Sequence, residues 1–203
     1  MNQPKKILSI IFVAAVVVFG GRISFAQGES KSARESSYEA MLYVVLGSDE
    51  AAQGAELPKS LSPVTKQLRD NFAFGNYRLL NTYVGRVANN GSLEYKSVSS
   101  LPGPERELDS PSFLEWQLNG LRSSDSAVGN DLLLMQMFRF GARVPIKITA
   151  TENGKTNQAI NYESVGLNVS RLSVASNSPT LIGTITLPRT AGTVFLVLAV
   201  RPV

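Results

Sequence analysis

The clearest pattern in the chain runs from Phe138 to Ile148, where Phe138, Phe140, Ala142, Val144, Ile146 and Ile148 alternate with Arg139, Gly141, Arg143, Pro145 and Lys147. A period of two sustained this long predicts a half-buried β-strand with an apolar side turned in and a basic side turned out. Asn153-Gly154 follows and supplies the two positive-φ residues of a type I′ hairpin turn, setting Glu152 opposite Lys155 and Thr151 opposite Thr156. The return strand passes Tyr162 with its apolar residues at the odd positions Val165, Leu167 and Val169. Upstream, Leu132 to Met137 runs straight into this hairpin. Asp131 to Ile148 is therefore either one long bent strand or two strands broken near Gly141.

Other stretches give weaker versions of the same signals. Tyr38 to Leu46 reads as a strand closed by Gly47 to Glu50. One helix is predicted, with Ser62 as N-cap, Pro63 at the first helical position, and Val64, Leu68 and Phe72 spaced along one face through Asn71. Tyr77 to Val87 reads as a strand that Asn89-Asn90-Gly91 turns back into Ser92 to Val98, a second hairpin. This order predicts a small α+β unit over 38–100 in which the helix covers one face of a sheet. Leu101 to Pro111 combines prolines with a run of charges and reads as a linker or long loop. Beyond it, Leu114, Trp116 and Leu118 alternate with Glu115, Gln117 and Asn119, which predicts a strand with Trp116 on its core side. Thr180 to Leu187 is another strand, and Val194 to Val200 is apolar at every position. Such a strand belongs in the middle of a sheet covered on both sides, or at an interface. The fold class predicted is α+β and β-rich, a small helix-on-sheet unit followed by an antiparallel β-domain over 112–203.

Composition narrows the chemistry. Lys5-Lys6, the apolar run Ile7 to Gly21 and the small residues Ser24 and Ala26 form a secretory signal peptide over 1–26, followed by a flexible polar tail over 27–37. Lys5, Lys6 and Arg22 leave with that segment, so the twenty basic residues become seventeen against sixteen acidic ones, and the mature charge is +1. The basic balance of the whole chain thus gives no reason to expect nucleic-acid binding. The chain has no histidine and no cysteine. That removes Ser-His and Cys-His nucleophiles, His or thiolate metal sites and disulfides. No phosphate-binding glycine loop and no G-x-S-x-G elbow occurs. Asp49, Glu50, Glu115 and Glu163 leave a carboxylate-pair hydrolase open, but their spacing does not pair them, and Glu105, Glu107 and Asp109 read as a solvated loop. A non-enzymatic protein without cofactor or metal is the expectation.

The hairpin carries one further signal, in Gly141-Ala142-Arg143-Val144-Pro145-Ile146 and in Tyr162-Glu163-Ser164-Val165-Gly166-Leu167-Asn168-Val169. These segments resemble part of the β-domain of the bacterial outer-membrane secretin family. The resemblance implies an exported cell-envelope protein, periplasmic or outer-membrane-associated, acting as a structural or interaction component of secretion or pilus machinery. Its partner would be an envelope protein or a second copy of itself. The sequence departs from a pore-forming member, because its mature length is short and neither face of Pro145 to Tyr162 carries the apolar band of a transmembrane β-strand. The alternative is a periplasmic module that binds a peptide or glycan in a cleft between the helix-bearing unit and the β-domain, which an apolar pocket near Trp116 with convergent polar groups would favour. Candidate interaction residues are Trp116, Arg139, Arg143 and Lys147. The last three share one strand face, read as a solvated face opposite the core or as a stripe for anionic ligands and lipid headgroups. The intact mass of exported protein is expected to correspond to a chain starting at Gln27; a mass that retains residues 1–26 would refute cleavage.

Overall fold

The computed structural model describes residues 36–49, 55–99, 110–124, 132–152, 155–188 and 192–203. The signal segment 1–26, nearly all of the tail 27–37, the loop 101–109 and the Asn153-Gly154 turn pair lie outside the described residues.

Two strands from opposite ends of the described chain form the centre of the molecule. β1 (Ser37–Ser48) and β9 (Thr193–Pro202) pair antiparallel from Tyr38↔Pro202 to Gly47↔Thr193. β2 (Asn76–Ala88) flanks β1 and β8 (Thr180–Ile185) flanks β9, giving a four-stranded sheet of order β2-β1-β9-β8. The central pair is apolar on both faces. Its even positions Ala40, Leu42, Val44, Leu46, Val194, Leu196, Leu198 and Val200 enter one core, and its odd positions Tyr43, Val45, Phe195, Val197 and Ala199 enter another. The fully apolar Val194 to Val200 therefore sits mid-sheet and is covered twice, as its composition predicts.

The odd face is covered by a 3₁₀ turn (Lys59–Leu61) and the helix α1 (Ser62–Asn71), through Leu61, Val64 and Leu68. The expected N-cap is displaced by one residue. Ser62 already has helical angles because the 3₁₀ turn runs into the helix, so Leu61 occupies the cap position and the Ser62 hydroxyl donates to the Lys59 carbonyl at 2.6 Å. The other end is clasped to the sheet. Tyr77 of β2 directs its hydroxyl at the carbonyls of Leu68, 2.9 Å, and Phe72, 3.1 Å. Burial raises the Tyr77 phenol above its ordinary pKa. Around this clasp Phe72, Phe74 and Tyr77 all pack against Phe195, Phe72 edge-on at 4.8 Å.

The even face is covered by a second antiparallel sheet. β3 (Ser92–Ser99) pairs β4 (Ser112–Asn119), β4 pairs β6 (Leu132–Glu152), and β6 pairs β7 (Lys155–Ala175) on its other side; β5 (Arg122–Ser123) pairs β6 beyond the end of β4. Leu114, Trp116, Leu118, Phe138, Phe140, Ala142 and Val144 point from it into the shared core. The β6–β7 register is the one the turn dictates, with Glu152↔Lys155 and Thr151↔Thr156 at its tip.

Two expectations are corrected by the pairing. Tyr77–Val87 and Ser92–Val98 do not form a hairpin, since β2 pairs β1 while β3 pairs β4 in the other sheet. The turn between them is a corner stitched to the neighbouring strand end: Asn90, at φ 59°, donates its N–H to the Leu121 carbonyl, and Gly120 donates to the Gly91 carbonyl at 2.9 Å. Nor do residues 38–100 and 112–203 each keep a sheet of their own. β9 completes the sheet of β1, β3 belongs to that of β6, and Glu35–Val203 clusters as one compact unit.

The long strand β6 is continuous through Gly141; its irregularity lies at Gln136. Inward residues are Leu133 and Met135 on one side of that point and Phe138, Phe140, Ala142 and Val144 on the other, so the inward parity changes. Adjacent strands change at the same level. Gly120 at φ 63° separates Leu118 from Leu121, and Arg171 at φ 56° separates Val169 from Leu172. Gly120, Gln136 and Arg171 thus mark a crease across the sheet, where a side chain on Gly120 would meet Gln136 Cγ at 2.6 Å. Gly141 lies in the regular ladder opposite Gly166. A Cβ at Gly141 would come within 3.2 Å of the flexible Glu115 side chain, whereas one at Gly166 would come within 2.5 Å of the Phe140 backbone oxygen. Gly166→Ala is accordingly expected to destabilise by about 1–3 kcal/mol and Gly141→Ala by no more than about 0.5 kcal/mol. Denaturant melts of the two variants check this; equal losses would mean that the backbone contact is not what selects glycine.

Candidate functional site

Among the described residues the first sheet has both faces covered, but the second has only one. Alternation along β3, β4, β6 and β7 sends Glu94, Lys96, Val98, Phe113, Glu115, Arg139 and Arg143 to the outer side. The registers align these residues in rows across the strands. Val98, Phe113, Arg143 and Ser164 form one row, Lys96, Glu115, Gly141 and Gly166 the next, and Glu94, Gln117, Arg139 and Asn168 a third. The middle row ends in two glycines with no side chains. A groove of about 770 Å³ lies there, floored by Gly141 and Gly166 and flanked by Arg139 and Asn168 on one side and Arg143, Phe113 and Ser164 on the other.

Charge on this face is organised by short contacts. Lys96 and Glu94 pair at 2.7 Å, which holds the Glu94 carboxyl below the usual carboxylate range and the Lys96 ammonium above its ordinary value. Arg139 lies 3.6 Å from Glu115. Arg143 places its guanidinium 5.1 Å from the centre of the Phe113 ring, and that ring packs against Tyr162 at 5.7 Å. Pairs this exposed contribute little to stability. Their effect is to fix where the cations stand.

The four candidate interaction residues divide between two sides of the sheet. Arg139, Arg143 and Lys147 share the outer face, as their spacing predicts. Trp116 points the other way, 1 % exposed among the core residues and packed near Phe138 at 6.4 Å. Its indole N–H has no hydrogen-bond partner among the described residues, and it takes no part in the outer face. Sequence reasoning passed over Lys96, Phe113, Gly166, Asn168 and Tyr162. Gly166 was within reach, because counting back from the Glu152↔Lys155 pair places it opposite Gly141. Lys96 and Phe113 arrive only through the β3–β4–β6 pairing.

Comparison with protein-family models, curated proteins and solved structures finds no match to this chain. The chemistry of the face must be read from its residues. Among the described residues no three His, Cys, Asp or Glu side chains converge to hold a metal ion, and no helix is long and apolar enough to cross a membrane. Glu115 and Glu94 each face a cation of the same sheet.

The two sides of β6 give opposite mutational expectations. Phe140→Ala opens a cavity between the sheets and should cost about 3–5 kcal/mol, while Arg139→Ala loses only a solvent-exposed pair and should stay within about 0.5 kcal/mol of the parent. Equilibrium unfolding decides it, and a damaging Arg139→Ala beside a harmless Phe140→Ala would mean that the faces are reversed.

Proposed function

We propose that this protein is an exported, non-enzymatic component of the cell envelope that binds another protein, or a second copy of itself, by strand addition along β7. The observation that carries the reading is the open edge of that strand. β7 is 21 residues long and, among the described residues, forms a ladder with β6 alone. The last β4 partner of β6 is Arg143, so from Val144↔Glu163 to Glu152↔Lys155 the hairpin continues as a two-stranded arm with no further strand on either edge among the described residues. An isolated two-stranded ribbon is marginal in water, and a bare edge presents a row of N–H and C=O groups to any extended chain. Pro145 stands in β6 just beyond the last β4 partner, at an edge that tolerates a missing donor. β7 has no proline anywhere along its length to block an incoming strand.

The placement at the envelope is supported by the N-terminal signal pattern and by the resemblance of this hairpin to the secretin β-domain. The alternative, a peptide or glycan cleft between the helix-bearing unit and the β-domain, gains no support from Trp116, whose side chain is buried between the sheets.

Site-specific photo-crosslinking in the producing cell tests the proposal. A photoreactive residue at Asn161, on the arm, should give one discrete adduct, whereas the same residue at Thr82, exposed on β2, should give none. The adduct mass separates a second copy from a different protein. Replacing residues 147–160 by Asn-Gly, which closes the hairpin at the Ile146↔Asn161 pair, should abolish the adduct at little cost in stability. Absence of any adduct at Asn161, or the same adducts at both positions, would sink the reading.

A further inference from the structure

The outer face of the second sheet has a composition that strand addition does not use. Among the described residues its cations are Lys96, Arg122, Arg139, Arg143, Lys147 and Arg171, against the carboxylates Glu94 and Glu115. The ratio of basic to acidic residues here, three to one, exceeds that of the chain as a whole, with its 20 basic and 16 acidic residues. The same face carries apolar side chains that no core accounts for. Val98 is 64 % exposed, Ile160 47 % and Tyr162 37 %. The register gathers them at one end: Val98 is level with Phe113 and Arg143, Tyr162 pairs Pro145, and Ile160 pairs Lys147. Tyr162 extends the stack of Arg143 on Phe113. Exposed aliphatic and aromatic side chains interleaved with Lys and Arg on one side of a sheet suit a bilayer interface. There the apolar tips enter the headgroup boundary and the cations meet phosphate.

We propose that this face seats the protein on an anionic phospholipid bilayer, with lipid phosphate in the groove over Gly141 and Gly166 between Arg139 and Arg143. Gly166 leaves room for a headgroup beside the Glu115 side chain, which lies 3.2 Å from where a Gly141 Cβ would stand and turns its carboxylate to Arg139, so the phosphate must displace that carboxylate from Arg139. The Asn168 and Ser164 side chains at the groove wall supply further donors. Tyr162 and Ile160 lie beyond the Arg143 side of the groove, where a lipid held by its phosphate would extend its chains, and Val98 stands level with Arg143 two strands away. The arm lies along the surface and does not cross it, because its outer positions next to the tip, Thr149 and Gln158, are polar. The backbone edge of β7 stays open in this orientation, so bilayer contact and strand addition use different groups.

Vesicle flotation of the mature chain separates this proposal from its rivals. Binding to phosphatidylcholine vesicles containing phosphatidylglycerol is expected, with little to pure phosphatidylcholine, and it should weaken as salt is raised. Arg139→Ala combined with Arg143→Ala should lower partitioning about thirtyfold, from about 1 kcal/mol per cation near an anionic leaflet. Arg69→Ala with Arg86→Ala, on α1 and β2, should leave it unchanged. Ile160→Ser with Tyr162→Ser should weaken binding while keeping its salt dependence. Thermal melts establish that each variant is folded, and the comparison of the two vesicle types with unmodified protein stands without any variant.

Equal partitioning onto both vesicle types, or onto neither, overturns the proposal. So does polyglutamate that binds as tightly as the vesicles and displaces them, which would assign the face to an acidic protein. Glycerol phosphate binding in the absence of vesicle binding would assign the groove to a free anion and overturn it too. None of these outcomes depends on crosslinking at Asn161, so the two readings fail separately.

Discussion

The structure depends on the burial of two strands that are apolar on both faces. β1 and β9 cannot lie on a surface, because whichever side faced water would expose a full row of Leu, Val and aromatic side chains. Each side chain of that size is worth about 1.5–3 kcal/mol when fully buried. Two covering layers follow from this demand: the second sheet takes the even row and α1 with its 3₁₀ turn takes the odd row. The helix is short and has no side-chain N-cap. Packing against Val45, Phe195 and Val197, together with the Tyr77 hydroxyl at its C-terminus, holds it where propensity alone would not.

The same demand leaves the second sheet with one free side. A sheet that serves as a lid needs only its inner row to be apolar, and the inner rows of β4 and β6 meet that need with Trp116, Phe138 and Phe140. To keep inner residues facing the core past the end of β4, three neighbouring strands change parity together at Gly120, Gln136 and Arg171. Arg171 adopts a positive φ there, a conformation that non-glycine residues take at a cost of order 1 kcal/mol. The outer row faces no second layer among the described residues. Val98, Ile160 and Tyr162 stand on it among cations although burial gives them no reason to be apolar, which is why that face is read as a contact surface.

β7 meets the first sheet through side chains, and among the described residues backbone pairing with that sheet begins just past the end of the strand, at Ser176 and Asn177. Leu167 packs onto Gly183 of β8, where a Cβ would come within 2.6 Å, and Ser176 bridges Val200. This closes the core at that side while leaving the outer backbone groups of β7 without a ladder partner. Core closure and an open edge are compatible because side chains seal the core and backbone groups define the edge.

What the sequence determined by itself was local. Alternation gave β6 and its inward residues Phe138 to Val144, the Asn-Gly pair gave the β6–β7 register over its whole length, and the Val64–Leu68 spacing gave the helix face. Each of these rests on contacts between residues close in the chain or joined by one tight turn. The double apolarity of Val194 to Val200 announced a covered central strand without saying what would cover it. Tertiary structure alone decided that its neighbour is β1, that Asn89 to Gly91 turns a corner between sheets where a hairpin was expected, and that Lys96, Val98 and Phe113 join Arg143 and Tyr162 on one face. Those outcomes depend on which long-range pairing buries both sides of the central strands at once. That is a property of the assembled layers, and no local periodicity records it.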